Sequence, residues 1–208
     1  MDLLDIVLHL DVHLLKMVQE YGIWIYAILF AIIFAETGFV VTPFLPGDSL
    51  LFVAGAIAAG GAMNVHLLAV LLIVAAVLGN SLNYAIGRWF GKRFFKEGKS
   101  RWLNPKHLAK AHEFYERHGG KAVVISRFLP IVRTYIPFVA GMAAMTPARY
   151  TAYNVAGAVA WVGSLSYAGY FFGNIPWVKS NLTWLIVGII VVSLLPLVIA
   201  FVRSKLKK

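Results

Sequence analysis

The stretch TPFLPGD, residues 42–48, interrupts an apolar segment that runs from Ile23 to Gly61. Two prolines and a glycine cannot continue a helix, so the chain must break within this segment. Broken backbone at membrane depth is tolerated only where protein buries it or water reaches it. The pattern therefore predicts a re-entrant helical hairpin over residues 22–61, which enters a membrane and turns back.

Composition points to a membrane for the rest of the chain as well. Hydrophobic residues make up 60% of the chain and charged residues only 13%, whereas a soluble domain usually has about 25% charged residues. Residues 64–88, 148–173 and 181–203 are apolar runs of about the 20 residues that a bilayer-spanning helix needs. Each of these runs is predicted to be a transmembrane helix.

The N-terminal residues 1–21 place polar side chains at helical spacing among Leu, Ile and Val, which predicts an amphipathic helix. Asp5, His9 and His13 lie on its polar face, and contact with water explains them better than a metal site does. The chain has no cysteine, no metal-ligand motif, no nucleophile triad and no phosphate-binding glycine loop. We therefore expect no metal, no cofactor and no enzymatic activity.

The middle of the chain, residues 89–120, is basic and is predicted to contain a second amphipathic helix. The expected start of that helix is Asn104-Pro105, and the expected end is Gly119-Gly120.

Residues 121–146 then form a second broken apolar stretch, a second re-entrant hairpin, interrupted by Pro130 and Pro137.

The two halves of the chain resemble each other. Short matches recur in the same order at offsets of 82 to 86 residues. The matched segments are 44–46 with 128–130, 53–55 with 139–141, 81–85 with 164–168, and 90–91 with 172–173. Each repeat is a broken hairpin followed by a span.

Charge predicts the orientation of these elements. Lys and Arg concentrate on the cytoplasmic side of membrane proteins, so the basic segment 89–120 and the basic tail after residue 202 are both predicted to be cytoplasmic. The spans of the two repeats then run in opposite directions, as in the inverted repeats of secondary transporters. The net charge of +10 reflects such loops and anionic lipid rather than nucleic acid.

The predicted fold class is an all-α integral membrane protein that forms a single domain over residues 1–208. It is an inverted repeat of two re-entrant hairpins, each followed by a transmembrane helix. An N-terminal amphipathic helix and a C-terminal transmembrane helix complete it.

Four charged residues lie where a charge is costly. An ionised side chain at the bilayer centre costs roughly 2.5–3.5 kcal/mol on insertion scales. Glu36 and Asp48 flank the first break, and Arg127 and Arg133 flank the second at Pro130. If the hairpins meet, all four could share one cavity, where they either lock the hairpins together as ion pairs or form a transport site.

The transport reading assigns a role to each pair. An arginine presents a planar fork that suits phosphate, so Arg127 and Arg133 would bind a phosphate-bearing lipid. A carboxylate in a low-dielectric cavity can take up a proton, so Glu36 and Asp48 would couple protons or gate access.

Several weaker signals lie on the predicted spans. Asn80, Asn83, Tyr84 and Asn154 could line the cavity, although hydrogen bonding between helices is the commoner role of such residues. The patterns Gly87-x-x-x-Gly91 and Gly169-x-x-x-Gly173 indicate close helix packing.

Longer motifs resemble one family. ETG at 36–38 and PFLPGDSL at 43–50 resemble the first hairpin of the DedA proteins, the bacterial branch of the SNARE-associated or VTT-domain superfamily. Asn83-Tyr84 with Gly87-Arg88 is similar to the end of that family's following span. SRFLPIVRT at 126–134 resembles its second hairpin, which residues 139–142 and 153–158 extend. The resemblance runs from about Val12 to Val192.

This resemblance implies a multi-pass protein of the bacterial inner membrane that supports envelope integrity. Some family members are implicated in returning undecaprenyl phosphate across the membrane, and eukaryotic relatives scramble phospholipids. The family's functional acids match Glu36 and Asp48, and its functional arginines match Arg127 and Arg133. The implied partners are membrane lipids, above all an anionic lipid or a lipid-carrier phosphate, and protons. Nucleic acid is not implied, and a homo-oligomer is a further possibility.

The leading hypothesis is therefore a proton-coupled transporter that flips a phosphate-bearing lipid. A proton-coupled antiporter for small cations is one alternative, in which the arginines have a structural role only. A non-transporting scaffold for envelope machinery is another, and it predicts that Glu36→Gln leaves function intact.

Overall fold

The computed structural model describes residues 10–39, 47–97, 119–173, 175–181 and 187–188. Within these ranges the regular structure is helical and there is no strand, as the predicted all-α class requires. The helices, in chain order, are α1 (Leu10–Tyr21), α2 (Trp24–Gly38), α3 (Gly47–Ala59), α4 (Val65–Glu97), α5 (Gly119–Ser126), α6 (Pro130–Met142), α7 (Pro147–Phe172) and α8 (Pro176–Ser180).

Two stretches are long and apolar enough to cross a membrane, by length and composition. They are Val65–Gly91 within α4, and Pro147–Phe172, which is α7. They coincide with the predicted spans 64–88 and 148–173, but α4 continues to Glu97 and so takes in the start of the predicted basic segment. Residues 1–9, the expected helix start at residues 104–105 and most of the predicted span 181–203 lie outside the described residues.

An apolar stripe runs along the exposed side of α4. Leu67, Val70, Val74 and Leu78 are between 43% and 59% exposed, and their spacing of three or four residues places them on one helix face. An exposed apolar surface of this kind is typical of contact with lipid or with another protein. On α7, Val155 and Val159 are exposed in the same way.

Both apolar stretches contain the expected helix break. Helix α2 ends at Gly38 and α3 begins at Gly47, while residues 40–46 between them lie outside the described residues. Helix α5 ends at Ser126, and α6 begins at Pro130. A proline at the first helical position loses nothing, because the N–H it lacks has no partner within the helix.

The prediction that Pro137 interrupts the second stretch is wrong, because Pro137 lies inside α6. A proline removes a single hydrogen bond from a helix. The turns around it are supported from outside, since Phe138 and Gly141 of α6 pack directly against the backbone of α4. Tertiary packing therefore holds a helix that the local sequence disfavours.

The helix that Gly119-Gly120 is predicted to end lies outside the described residues, so its end stays a prediction, and the two glycines themselves are the first residues of α5. A Cβ atom added to Gly120 would overlap the ring of Tyr153. Close packing against α7 therefore explains the glycine at position 120.

The chain divides into two compact units. Unit 1 takes in the described residues of Met1–Ile32, Phe44–Ile73 and Trp161–Lys208, and unit 2 takes in those of Ile33–Pro43 and Val74–Ala160.

Unit 1 is built on close packing of α3 against the C-terminal half of α7. A Cβ added to Gly169 would overlap the carbonyl of Phe52, and one added to Gly55 would overlap the carbonyl of Ser166. The two helix backbones therefore touch at these glycines, as small residues allow in membrane helices.

Unit 2 repeats this contact with other helices. A Cβ on Gly87 of α4 would overlap the carbonyl of Phe138 in α6, and one on Gly141 would overlap the carbonyl of Tyr84. By the offsets of the internal repeat, Gly87, Phe138 and Gly141 correspond to Gly169, Phe52 and Gly55, while Tyr84 corresponds to Tyr167, the residue after Ser166. In each unit, the helix that follows a break packs on the long helix of the other repeat.

Candidate functional site

A buried ion pair joins the two broken stretches within unit 2. Glu36 lies near the C-terminal end of α2 and is 0% exposed, and Arg133 lies in the first turn of α6 and is 5% exposed. Arg133 donates from Nη2 to Glu36 Oε1. Removing one partner of such a pair typically costs about 3–5 kcal/mol, because the other charge stays buried.

The amide of Asn83 joins the same two helices a second time. Its Nδ2 donates to the main-chain carbonyl of Thr134 at 2.8 Å and to that of Thr37 at 3.4 Å. These two carbonyls belong to the residues that directly follow Arg133 and Glu36 in the sequence. Asn83 is itself fully buried, so the ends of α2 and α6 are held by an ion pair and by a shared amide from α4.

The second arginine is also buried. Arg127 follows α5 and is 2% exposed. Its Nη2 donates to Ala76 O at 3.2 Å and to Asn154 Oδ1 at 2.5 Å. The side-chain amide of Asn80 has one orientation in which both of its polar groups find partners. In that orientation its oxygen accepts from Arg127 Nη2 at 3.0 Å, and its nitrogen donates to Thr37 O at 3.1 Å. Arg127 is therefore linked through Asn80 to the residue beside Glu36.

A pair of tyrosines extends this network along α4. Tyr150 donates to the carbonyl of Asn80 at 2.9 Å and stacks on Tyr84, with ring centroids 4.2 Å apart. Tyr84 donates to the carbonyl of Met145 and accepts from Arg88 Nη1 at 2.9 Å. Tyr84 thus ties α4 to the loop between α6 and α7, and a cavity-lining role for Asn83, Tyr84 and Asn154 stays a prediction.

Asp48 belongs to unit 1. It is half-buried in the first turn of α3, and its Oδ1 accepts from Trp161 Nε1 at 2.7 Å. Trp161 is only 1% exposed, and a buried indole N–H usually finds an acceptor. Of the four predicted charged residues, the structure therefore brings Glu36, Arg127 and Arg133 into one network, and it places Asp48 with Trp161.

Comparison with known proteins gives the family. Residues 45–171 match the model of the VTT domain. The chain is 57% identical to Protein DedA of Escherichia coli (strain K12), over 98% of this chain and 94% of that protein. This chain belongs to the DedA family.

Two further relatives resemble the chain less closely than Protein DedA does. An uncharacterised membrane protein of Mycobacterium leprae (strain TN) is 42% identical, over 81% of this chain and 76% of that protein. The inner membrane protein YqjA of E. coli (strain K12) is 39% identical, over 73% of this chain and 69% of that protein. No solved structure matches the chain. The family and the apolar helices together make this DedA-family chain a membrane protein.

Sequence reasoning missed two hydrogen-bonding aromatic residues, one in each unit. Tyr150 reaches the main chain of Asn80, and Trp161 reaches Asp48. The sequence could have suggested them, because a buried Tyr or Trp usually needs a hydrogen-bond partner for its O–H or N–H. The sequence does not identify that partner. Within the described ranges, no three acidic or histidine side chains are grouped to hold a metal, while Asp5 and His9 lie outside those ranges.

Proposed function

We propose that this chain is a transporter that flips a phosphate-bearing lipid, such as undecaprenyl phosphate or a phospholipid, across the bacterial inner membrane in exchange with protons. The observation that supports it most is the burial of Glu36, Arg127 and Arg133 in one hydrogen-bonded network among apolar helices. Charges inside a membrane protein usually mark a substrate or proton pathway, because burying them is costly.

In this proposal, the phosphate and Glu36 compete for Arg133. A phosphate oxyanion can accept two parallel N–H bonds from the guanidinium fork, as a carboxylate does. Once Arg133 turns to the phosphate, Glu36 is left as a buried carboxylate without its partner, and it takes up a proton rather than stay charged. Lipid binding and proton binding are thereby coupled through one ion pair.

The proposal also includes the membrane arrangement. The broken stretches 22–61 and 121–146 form re-entrant hairpins, and α4, α7 and residues 181–203 span the bilayer. Asp48 gates access to the site or carries protons from its place in unit 1. The partners are lipids and protons, the lipid undergoes no chemical change, and neither cofactor nor nucleic acid takes part.

Flipping by the purified protein in liposomes tests this function. The wild type should accelerate the crossing of labelled phospholipid or of undecaprenyl phosphate, and a proton gradient should change the rate. Glu36→Gln should slow flipping at least about tenfold, equivalent to about 1.4 kcal/mol of transition-state free energy, because glutamine cannot exchange a proton. Flipping no faster than in protein-free liposomes, with the fold intact, would contradict the proposal, and full activity of Glu36→Gln would favour a scaffold.

Arg133→Lys separates lipid transport from cation exchange. Lysine keeps the charge but presents a point charge in place of a planar fork. If the site binds phosphate, this variant should lose most of the lipid flipping. If the arginine only balances Glu36, an antiporter for small cations should keep its exchange activity in the same liposomes, measured with an internal pH dye.

A further inference from the structure

Arg88 is anchored at one of its nitrogens by Tyr84. It lies one helical turn after Tyr84 on α4, is half-buried, and donates from Nη1 to the Tyr84 hydroxyl at 2.9 Å. The same hydroxyl donates to the main-chain carbonyl of Met145. Because a carbonyl can only accept, the tyrosine proton is committed to Met145, and the hydroxyl oxygen is left to accept from the arginine.

Tyr84 is itself held in place. It is 7% exposed, and its ring stacks on that of Tyr150 with centroids 4.2 Å apart. A Cβ added to Gly141 of α6 would overlap the carbonyl of Tyr84 and lie 2.8 Å from the main-chain nitrogen of Arg88. Arg88 is therefore fixed both at its backbone and at Nη1.

The positive charge of Arg88 has no acidic partner in the part of the chain that the structure describes. Its one hydrogen bond there goes to the neutral hydroxyl of Tyr84, whereas Arg133 pairs with Glu36. The Nε and Nη2 atoms of Arg88 make no hydrogen bond to the described residues and are not sealed inside the protein. These two nitrogens form one edge of the guanidinium, which matches two oxygens of a phosphate.

Arg88 lies where lipid headgroups are expected. It is three residues before the end of the apolar stretch Val65–Gly91. The next two side chains, Trp89 and Phe90, are 55% and 36% exposed. Exposed tryptophan beside a basic residue is typical of the membrane–water interface. A phosphate that meets the open edge of Arg88 at this depth therefore belongs to a lipid headgroup.

We infer that Arg88 binds the phosphate group of an anionic phospholipid at the end of α4, and that Tyr84 is the positioning residue that turns the Nε–Nη2 edge towards it. The inference goes beyond the proposed function. It concerns other residues than the buried Glu36–Arg133 pair, and it holds whether or not the chain flips lipid.

Native mass spectrometry of the full-length protein in a neutral detergent tests the inference by counting bound lipid. The protein is titrated with phosphatidylglycerol and, separately, with phosphatidylcholine of the same acyl chains, which has a phosphate but no net charge. The wild type should bind phosphatidylglycerol more tightly than phosphatidylcholine, because the lipid must balance the charge of Arg88.

Arg88→Gln should weaken the binding of one phosphatidylglycerol molecule at least about tenfold, because a charge-assisted pair of hydrogen bonds is lost. Lys121→Gln is the control for charge, since it removes an exposed positive charge from α5 of the same unit and should bind as the wild type does. The loss caused by Arg88→Gln should be equally large in an Arg133→Lys background, because sites that share no residue contribute independently.

Tyr84→Phe tests the positioning role, with Tyr150→Phe as the matched control. Each variant removes one hydroxyl from the same stacked pair, together with its hydrogen bond to a main-chain carbonyl. Only the Tyr84 hydroxyl contacts Arg88, so Tyr84→Phe should weaken phosphatidylglycerol binding at least about threefold, the size of one modest hydrogen bond, and Tyr150→Phe should not. Equal weakening by both would show that the hydroxyls only stabilise the fold, and would overturn the positioning role.

Unchanged phosphatidylglycerol affinity in Arg88→Gln overturns the lipid site, and so does a wild type that binds both lipids equally. A loss that disappears in the Arg133→Lys background would place the lipid at the buried pair and overturn it as well. Inorganic phosphate that displaces phosphatidylglycerol at equal concentration would make this a site for the free anion, against the inference. If Arg88→Gln does not fold, the comparison of Tyr84→Phe with Tyr150→Phe decides.

Discussion

The Glu36–Arg133 ion pair joins residues that are 97 positions apart in the sequence. A buried ion pair adds little net stability over an apolar pair of the same size, although breaking it is costly. The desolvation cost of burying these two charges is therefore easier to understand if they change partners during function. The hydrogen bonds of Asn83 to Thr37 O and Thr134 O do not involve either charge, so they can hold the helix ends while the ion pair opens.

Exchanging the two charges distinguishes a structural pair from a transport site. The double variant Glu36→Arg, Arg133→Glu should recover most of the melting temperature that each single variant loses, because the ion pair can form again with reversed polarity. Flipping should remain abolished, since the guanidinium no longer lies on α6. Thermal denaturation and the liposome assay measure the two effects, and restored flipping would show that the pair is only a structural lock.

At the scale of helices, the contacts that define each unit are backbone contacts at glycines. Gly169 of α7 meets Phe52 of α3, and Gly87 of α4 meets Phe138 of α6. A methyl group does not fit at either position, because the neighbouring atoms belong to the backbone and cannot rotate away. The small-x-x-x-small spacing thus has the same physical reason in both repeats.

Gly169→Ala and Gly163→Ala test this packing within one helix. The alanine at 169 would overlap the α3 backbone and should destabilise the protein by about 1–3 kcal/mol. Gly163 has no atom within 4 Å of its added Cβ, so alanine there should be neutral or stabilise α7 by up to about 1 kcal/mol. Thermal unfolding in detergent measures both, and equal effects at the two positions would rule out the close contact.

For the whole molecule, the apolar stripe on α4 predicts which surface meets lipid. The chain has no cysteine, so single cysteines can carry spin labels without any background. A label at Val70→Cys, where the wild-type side chain is 59% exposed, should in liposomes collide with dissolved oxygen more often than with a water-soluble nickel chelate. Ala62→Cys, in the exposed turn between α3 and α4, should show the reverse preference. Similar accessibility of Val70 and Ala62 to the chelate would place this face of α4 in water.

Some features of this protein follow from local sequence. Apolar length indicates the two long helices, and proline indicates the break before α6, because both depend on the backbone of one segment. The spacing of Gly87 with Gly91 and of Gly169 with Gly173 indicates close packing without naming the partner helix. Recurrence of the motifs indicates that the sequence contains two related repeats.

The partners of the charged residues depended on tertiary structure. Arg133 pairs with Glu36, Arg127 is held by Asn80 and Asn154, and Asp48 accepts from Trp161. Pro137 stays helical for the same reason, because contacts with a distant helix outweigh a local preference. A buried polar atom must be satisfied by whatever group the packing brings near it, and segments far apart in the chain decide which group that is.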